Sequence, residues 1–252
     1  LYTHVIRWEE YRAFMQAFFN ADVVDIELLY DNAMLAVNYE QAKKFSVKYI
    51  LSGSNKATEG MTMPRAWHAF KFDKRNIKNL AGKLDFNTFP SIGTFTRIYH
   101  QVVHGTEWLS LLDELDFNKF EAMEELTENF GYKKYPYKHY ESIFTRFYQG
   151  YILPTKFGID KRKVHFSSLI ISGQMSRDDA LKDLQKNPYS EQKDLESDLN
   201  YFLKKMDWDQ NDLAEYIQRP RKEHEEYGSG EKFFYFMKNA YSFLKKASGN
   251  EK

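Results

Sequence analysis

There is no cysteine in this sequence of 252 residues. That removes disulfides, thiolate zinc sites and a cysteine nucleophile together, and it agrees with a reducing compartment. There is no excess of either charge, lysine plus arginine and aspartate plus glutamate standing at 36 each. No global field draws the protein to nucleic acid or to an anionic membrane, so any basic site has to be local. Long apolar runs are lacking too, so no membrane span is expected. No signal-like segment precedes Leu1, and the expected location is the cytoplasm. Internal repeats and low-complexity tracts are also missing. The length allows one large domain or two smaller ones. The first residue is Leu1 rather than methionine and a helical pattern starts close behind it, so the chain is expected to be the later part of a longer protein.

What is present begins with Val47 to Trp67, VKYILSGSNKATEGMTMPRAW. Val47, Tyr49, Ile50 and Leu51 read as a short buried strand. Ser52, Gly53, Ser54 and Asn55 follow it at once. These small residues carry free amides and hydroxyls where α/β sheets place ligands, just past the carboxyl end of a strand. The same four residues are also ordinary turn formers, and on their own both readings stand.

Upstream, Trp8 to Asn20 has helical apolar spacing, Asp25 to Leu29 reads as a strand, and Asp31 stands where an N-cap belongs before a helix through Ala42. Strand, helix and strand would form a right-handed βαβ unit. Asp31 is then either that cap or a polar group beside the Ser52 loop. Asp73 to Leu80 reads as a short helix. Beyond Pro90 the patterns are mostly helical: Lys119 to Phe130 stopped by Gly131, then Asp178 to Gln185, Leu195 to Met206, Leu213 to Ile217 and Phe233 to Leu244. The Lys-rich end from Lys245 to Lys252 is expected to fray. A boundary is therefore expected near Pro90. His100 and His104 have the spacing of paired metal ligands, but the acid of an H-E-x-x-H site is missing. They read as ordinary histidines, and no metal site is expected.

A second informative stretch runs from His139 to Ser172. Tyr140, Ile143, Phe144, Phe147 and Tyr151 form an apolar stripe, while His139, Ser142 and Arg146 share another face. Pro154 is expected to break this helix. The next helix starts near Asp160 with Lys161, Arg162 and Lys163. Cations in a first turn oppose the helix dipole, which a bound phosphate would compensate. Solvated side chains with Asp160 as cap and local counterion, or an ion pair of Arg162 with a carboxylate such as Glu141, would do so as well.

Taken together, S-G-S-N-x-A-T-E-G with P-R-x-W, and K-H-Y-E-S-x-F-T-R-F-Y-Q-G-Y-I-L-P-x-K-F-G-I-D-K-R with H-F-S-S-L-I-x-S-G-Q, resemble the N-acetyl sugar amidotransferase family. These are PP-loop, ATP-pyrophosphatase-type enzymes of bacterial lipopolysaccharide, O-antigen and nonulosonic-acid biosynthesis. The resemblance covers roughly Tyr2 to Tyr189. It implies an α/β fold class: a partial PP-loop, adenine nucleotide alpha hydrolase-like parallel-sheet domain over 1–90, then a mainly helical substrate or partner domain over 91–252. The implied reaction converts the acetamido group of a sugar or nucleotide-sugar to an acetamidino group, through an adenylated amide that ammonia attacks. ATP and Mg2+ are the implied cofactors.

The resemblance implies Asp31, Ser52, Gly53 and Asn55 for the nucleotide. It implies Thr58, Arg65, Trp67, Arg146, Lys156, Lys161 and Arg162 for substrate or phosphate, and Glu59, His139 and Glu141 for orienting sugar or ammonia. The family's earlier S-G-G-x-D-S phosphate loop has no counterpart in this sequence. Without cysteine the chain cannot house a Cys-dependent glutaminase, and the resemblance implies separate glutaminase and synthase-like partner subunits. The competing class is a non-catalytic helical interaction or scaffold module derived from the same family.

Overall fold

The structure is a computed structural model; it describes residues 2–134, 137–189 and 191–247, the side chains of 244–247 excepted. Along the chain run α1 (Trp8–Asn20), α2 (Leu28–Lys44), β1 (Tyr49–Leu51), α3 (Lys56–Glu59), α4 (Lys74–Ala81), α5 (Thr94–Ile98), β2 (Glu107–Leu109), α6 (Lys119–Phe130), α7 (Ile143–Phe147), α8 (Leu153–Phe157), α9 (Arg162–Ile171), α10 (Arg177–Gln185), α11 (Gln192–Met206), α12 (Gln210–Gln218) and α13 (Glu231–Ala247). The fraying expected at Lys245 to Lys252 falls on side chains, and from 248 on on backbone, outside the described residues. No helix of the described residues is long and apolar enough to cross a membrane.

Helix dominates, and not only after residue 90. Among the described residues the one sheet is the pair β1 and β2. The Glu107 N–H donates to the Lys48 carbonyl and the Ser52 N–H to the Leu109 carbonyl. Both strands therefore advance in the same direction, and the pairing is parallel. Tyr49 and Leu51 are exposed, so this strand is not the buried one expected. The strand expected at Asp25 to Leu29 is a turn that winds into α2, with the Leu28 and Leu29 N–H groups donating to the Asp25 and Ile26 carbonyls. Ile26, Leu28 and Leu29 are wholly buried. A short buried apolar run looks the same in sequence whether it enters a strand or a helix. Asp31 is not the cap either: Glu27 holds that position, and Asp31 lies in the first turn of α2.

Two compact units interleave along the chain, one from Leu1–Ile50, His68–Glu107 and Lys222–Lys252, the other from Leu51–Trp67 and Trp108–Arg221. The sequence pattern had pointed to a single boundary near Pro90 instead. In the first unit, α1 buries Tyr11, Phe14, Met15 and Phe18, one face of a helix. Phe14 packs on Phe86 and Phe89 with ring centroids 4.6 and 5.1 Å apart. Each such buried side chain stabilises by roughly 1.5 to 3 kcal/mol. Long-range polar contacts complete the unit. Asn32 donates to the Lys71 and Ile92 carbonyls at 2.8 Å, and Asn76 to the His224 and Gly228 carbonyls at 2.7 and 3.0 Å.

In the second unit, Phe147, Tyr148, Ile152, Phe202, Met206 and Tyr216 are fully buried among α7, α8, α11 and α12. Pro154 does not break the helix. A π-helical turn at Tyr148–Ile152 joins α7 to α8 and places Pro154 in the first turn of α8, where an N–H is not needed. Gly150 in that turn has Tyr140 and Tyr189 against it; a Cβ there would meet the Tyr140 hydroxyl at 2.8 Å. Gly131 ends α6 as expected, in the left-handed conformation that glycine adopts without strain.

Candidate functional site

A cleft of about 860 Å3 opens in the second unit. Gly53, Asn55 and Thr58 line it from the strand-to-helix loop, Phe117, Lys119, Met123 and Leu126 from α6 and its approach, and Tyr137, Lys138, His139 and Glu141 from the loop before α7. Segments some eighty residues apart in sequence thus meet on one surface. A smaller recess of about 30 Å3 shares Thr58, Lys119, Tyr137 and Lys138 with the cleft and adds Arg162, His165, Phe166 and Leu169.

The loop is held from several directions. The Ser52 and Ser54 hydroxyls lie 2.5 Å apart, and Asn55 caps α3 by accepting from the Thr58 N–H at 2.9 Å. Lys56 donates its N–H to Asp113 at 2.6 Å. Part of the donor set expected for a nucleotide therefore serves the loop's own shape. From the other side, Ser168 accepts from the Met61 N–H and Ser172 donates to the Ala57 carbonyl, at 3.2 and 3.1 Å. These serines of the H-F-S-S-L-I-x-S stretch fasten α3 to α9. Gln174 closes the frame, bridging the Phe117 carbonyl and the Lys119 N–H at 2.8 Å each. It fixes the start of α6 and with it Lys119.

His139 has a backbone φ of +69°. A left-handed conformation at a residue with a Cβ is uncommon and concentrates at functional sites. The strain is held on both sides: Lys138 is ion-paired with Glu59, and Tyr140 is buried against Gly150. The His139 ring meets that of His165 edge-on at 5.9 Å. Burial, with Lys138, His139, Lys161 and Lys119 around it, pushes His165 down to about 3, so it is neutral at pH 7. Burial and the neighbouring Lys138 also lower the Lys119 ammonium.

The other expected cations are engaged in structure. Arg162 is only 6% exposed. Its guanidinium forks onto Asp160 at 2.8 to 3.1 Å, its Nη1 donates to the Lys186 and Asp183 carbonyls at 3.0 and 3.3 Å, and the Tyr137 ring covers it at 5.1 Å. Burial opposes its charge, and Asp160 more than offsets that. The partner is Asp160, the local counterion of the alternative reading, rather than Glu141, and no phosphate is needed to compensate the helix dipole.

Arg146 makes a bidentate pair with Asp198 at 2.6 and 2.7 Å, and Tyr189 donates to the same carboxylate at 2.8 Å. Lys156 donates to the Tyr216 and Arg219 carbonyls at the end of α12. Asp31 belongs to the first unit, ion-paired with Lys71 at 2.7 Å. Arg65 and Trp67 form a short 3-10 turn and line neither cavity. Lys161 stands at the N-cap of α9, its charge acting on His165.

The sequence reading therefore found Gly53, Asn55, Thr58, His139 and Glu141 on the cleft, with Glu59 on its Lys138. It missed Lys119, Tyr137, Lys138 and His165. Lys138 and His165 sit inside the quoted motifs; Lys119 carries no local signal. His100 and His104 belong to the first unit, their rings edge-on at 6.3 Å, His100 packed on Tyr39 at 5.1 Å and His104 bonded to Thr106 at 2.8 Å. Among the described residues no three histidines or carboxylates meet as a metal site.

Residues 141–241 match the family model described as LPS biosynthesis protein WbpG-like, C-terminal domain. That places this part of the chain alongside proteins of lipopolysaccharide biosynthesis. No curated protein and no solved structure matches the chain.

Proposed function

We propose that the chain acts in bacterial lipopolysaccharide biosynthesis as an ATP-dependent N-acetyl sugar amidotransferase, and that the cleft of the second unit receives the sugar substrate. The observation that carries this reading is the meeting of the S-G-S-N and K-H-Y-E segments on one cleft. The family match over residues 141–241 supports the pathway. Conversion of an acetamido to an acetamidino group replaces the carbonyl oxygen by nitrogen. Resonance makes the amide carbon a poor electrophile, so its oxygen is first joined to the α-phosphorus of ATP with loss of pyrophosphate. Ammonia then adds to the carbon, AMP leaves with the oxygen, and the proton released from nitrogen passes to a base.

Glu141 and His139 line the cleft and serve in this reading to orient the acetamido group and ammonia, with Glu141 taking the proton. Apolar Phe117, Met123 and Leu126 shield the centre from water, which strengthens every polar contact within it. Ammonia comes from a glutaminase partner, this sequence having no cysteine.

Incubation of the chain with ATP, an ammonium salt and a panel of acetamido sugars and their nucleotide derivatives tests the reading. AMP and an amidino product detected by mass spectrometry are expected when a segment carrying the S-G-G-x-D-S phosphate loop is supplied, with negligible product from the chain alone, and loss of the product in Glu141→Gln with binding retained. Binding of no panel member would instead favour the helical interaction module, for which exposed Phe236 and Phe243 on α13 supply an apolar face.

A further inference from the structure

The recess behind the cleft is lined by donors without an acid among them. Lys119, Lys138, Arg162 and His165 surround it, with Thr58 and Tyr137. Arg162 is neutralised by Asp160. Lys138 is neutralised by Glu59, whose side chain is 40% exposed while that of Lys138 is 19% exposed. For Lys119, among the described residues, the structure gives no carboxylate and no acceptor, only the Phe120 ring 5.8 Å from its ammonium. Glu125 and Glu141 face the outer cleft and do not line the recess. Two lysines thus stand close enough for Lys138 to depress Lys119; only Lys138 has a carboxylate partner, and that carboxylate is the more exposed member of its pair. Half-buried like charges of this kind cost free energy unless an anion joins them.

We infer that Lys119, Lys138 and His165 form the seat of a phosphate ester group, which on binding takes Lys138 away from Glu59. This deepens the reading of the cleft as a substrate site. A water needs about 10 to 15 Å3, so the recess of about 30 Å3 admits one or two oxygens of the phosphate, and the remainder lies in the cleft. A phosphate fits better than a carboxylate because the donors come from α6, α9, α3 and the 137–138 loop, more directions than two coplanar oxygens can meet. His165 is suited to the role as a neutral ring: it contributes one N–H donor without adding to the repulsion between the lysines. Glu59, released, becomes a free carboxylate beside the cleft only when ligand is present. The exchange swaps one ion pair for another, so it costs little in the liganded state and keeps Lys138 compensated in the empty one.

Titration calorimetry with three probes, inorganic phosphate, N-acetylglucosamine 1-phosphate and AMP, tests this on the chain itself. A sugar phosphate or AMP should bind, and Lys119→Gln and Lys138→Gln should each weaken it by about tenfold or more, the loss expected for a hydrogen bond between charged groups. Glu59→Gln should tighten it by removing the competitor. The probe that shows this dependence identifies whether the phosphate belongs to the sugar or to the adenylate. On the unmutated protein, ligand should raise the His165 imidazole pKa, followed by NMR, because an anion favours its protonated form. That measurement does not depend on how any variant folds. Affinity indifferent to both lysines, a Glu59→Gln variant that binds more weakly, an unmoved His165, or no binding by any probe would each overturn the inference. Phosphate binding without amidination, even with a segment carrying the phosphate loop supplied, would sink the amidotransferase reading and leave the seat standing; amidination with binding indifferent to both lysines would do the reverse.

Discussion

The two units use their buried polar groups differently. In the first, many of them are bonded within the chain, although Arg97 lies on the Phe72 and Phe234 rings with burial opposing its charge. His224 takes the Asp25 N–H on Nε2 at 3.3 Å and meets Asn76 through Nδ1 at 2.7 Å. Asp73 holds Ser229 and the Gly230 N–H, and Glu10 gathers the N–H groups of Asn87, Thr88 and Phe89. Even Lys71, whose charge burial opposes, is raised by Asp25 and Asp31 together. In the second unit, Arg146, Lys156 and Arg162 are spent likewise, but Lys119, Lys138 and His165 line one recess whose lining holds no acid, Lys138 alone being paired, with Glu59. A polar cluster that stabilises a fold balances its own charges; one that leaves a charge over is arranged for something else.

Removing a member from the balanced set should cost most. Arg162→Ala strips Asp160 of its partner and leaves the Asp183 and Lys186 carbonyls short of a donor, so urea unfolding should show a loss of about 3 kcal/mol or more. An unchanged midpoint would return Arg162 to the ligand site and erase the contrast. Asn76→Ala should cost about 2 to 3 kcal/mol in the same measurement, because it leaves buried groups of His224 and Gly228 unpaired.

Acid should come next. His165 folds with a value of about 3 against about 6.5 unfolded, so the unfolded chain binds the extra proton first. Its contribution is complete above pH 6.5 and is lost as pH falls towards 3, roughly 2 kcal/mol at pH 5. Burial lowers His224 in the same direction. Stability measured between pH 7 and 5 should therefore decline, and His165→Gln should flatten the slope in part, the rest remaining with His224. A slope untouched by His165→Gln would mean that the ring is solvated and the recess open. Smallest is Lys56→Ala, within about 0.5 kcal/mol, since that side chain is 82% exposed and Asp113 keeps the Lys56 N–H.

Much of the helical content was written locally. Trp8 to Asn20 and Lys119 to Phe130 carry apolar residues at helical spacing, and Gly131 marks a stop that needs only its own backbone freedom; the structure has α1 and α6 at those bounds. The S-G-S-N loop was legible for the same reason, small residues following a strand. Local signals misled where a residue's role depends on what lies far off in sequence. Ile26, Leu28 and Leu29 are buried in a helix entry rather than a sheet, the Leu28 and Leu29 N–H groups bonding back to Asp25 and Ile26. Pro154 is accommodated because a π turn precedes it.

The charges show the division most plainly. The sequence by itself determined that this chain carries no cysteine and no excess of either charge, that its later part is mostly helical, and that lysines and arginines crowd the start of α9. Which of those cations are committed was decided only by the tertiary structure. Lys186 and Tyr137 close on the local Arg162–Asp160 pair, Asp198 meets Arg146 from 52 residues away, and Lys119, with no motif around it, is left with Lys138 as its neighbour. Periodicity reports which face of an element is apolar, whereas a charge is settled by whichever opposite charge packing brings within about 4 to 6 Å, a distance that no spacing along the chain encodes.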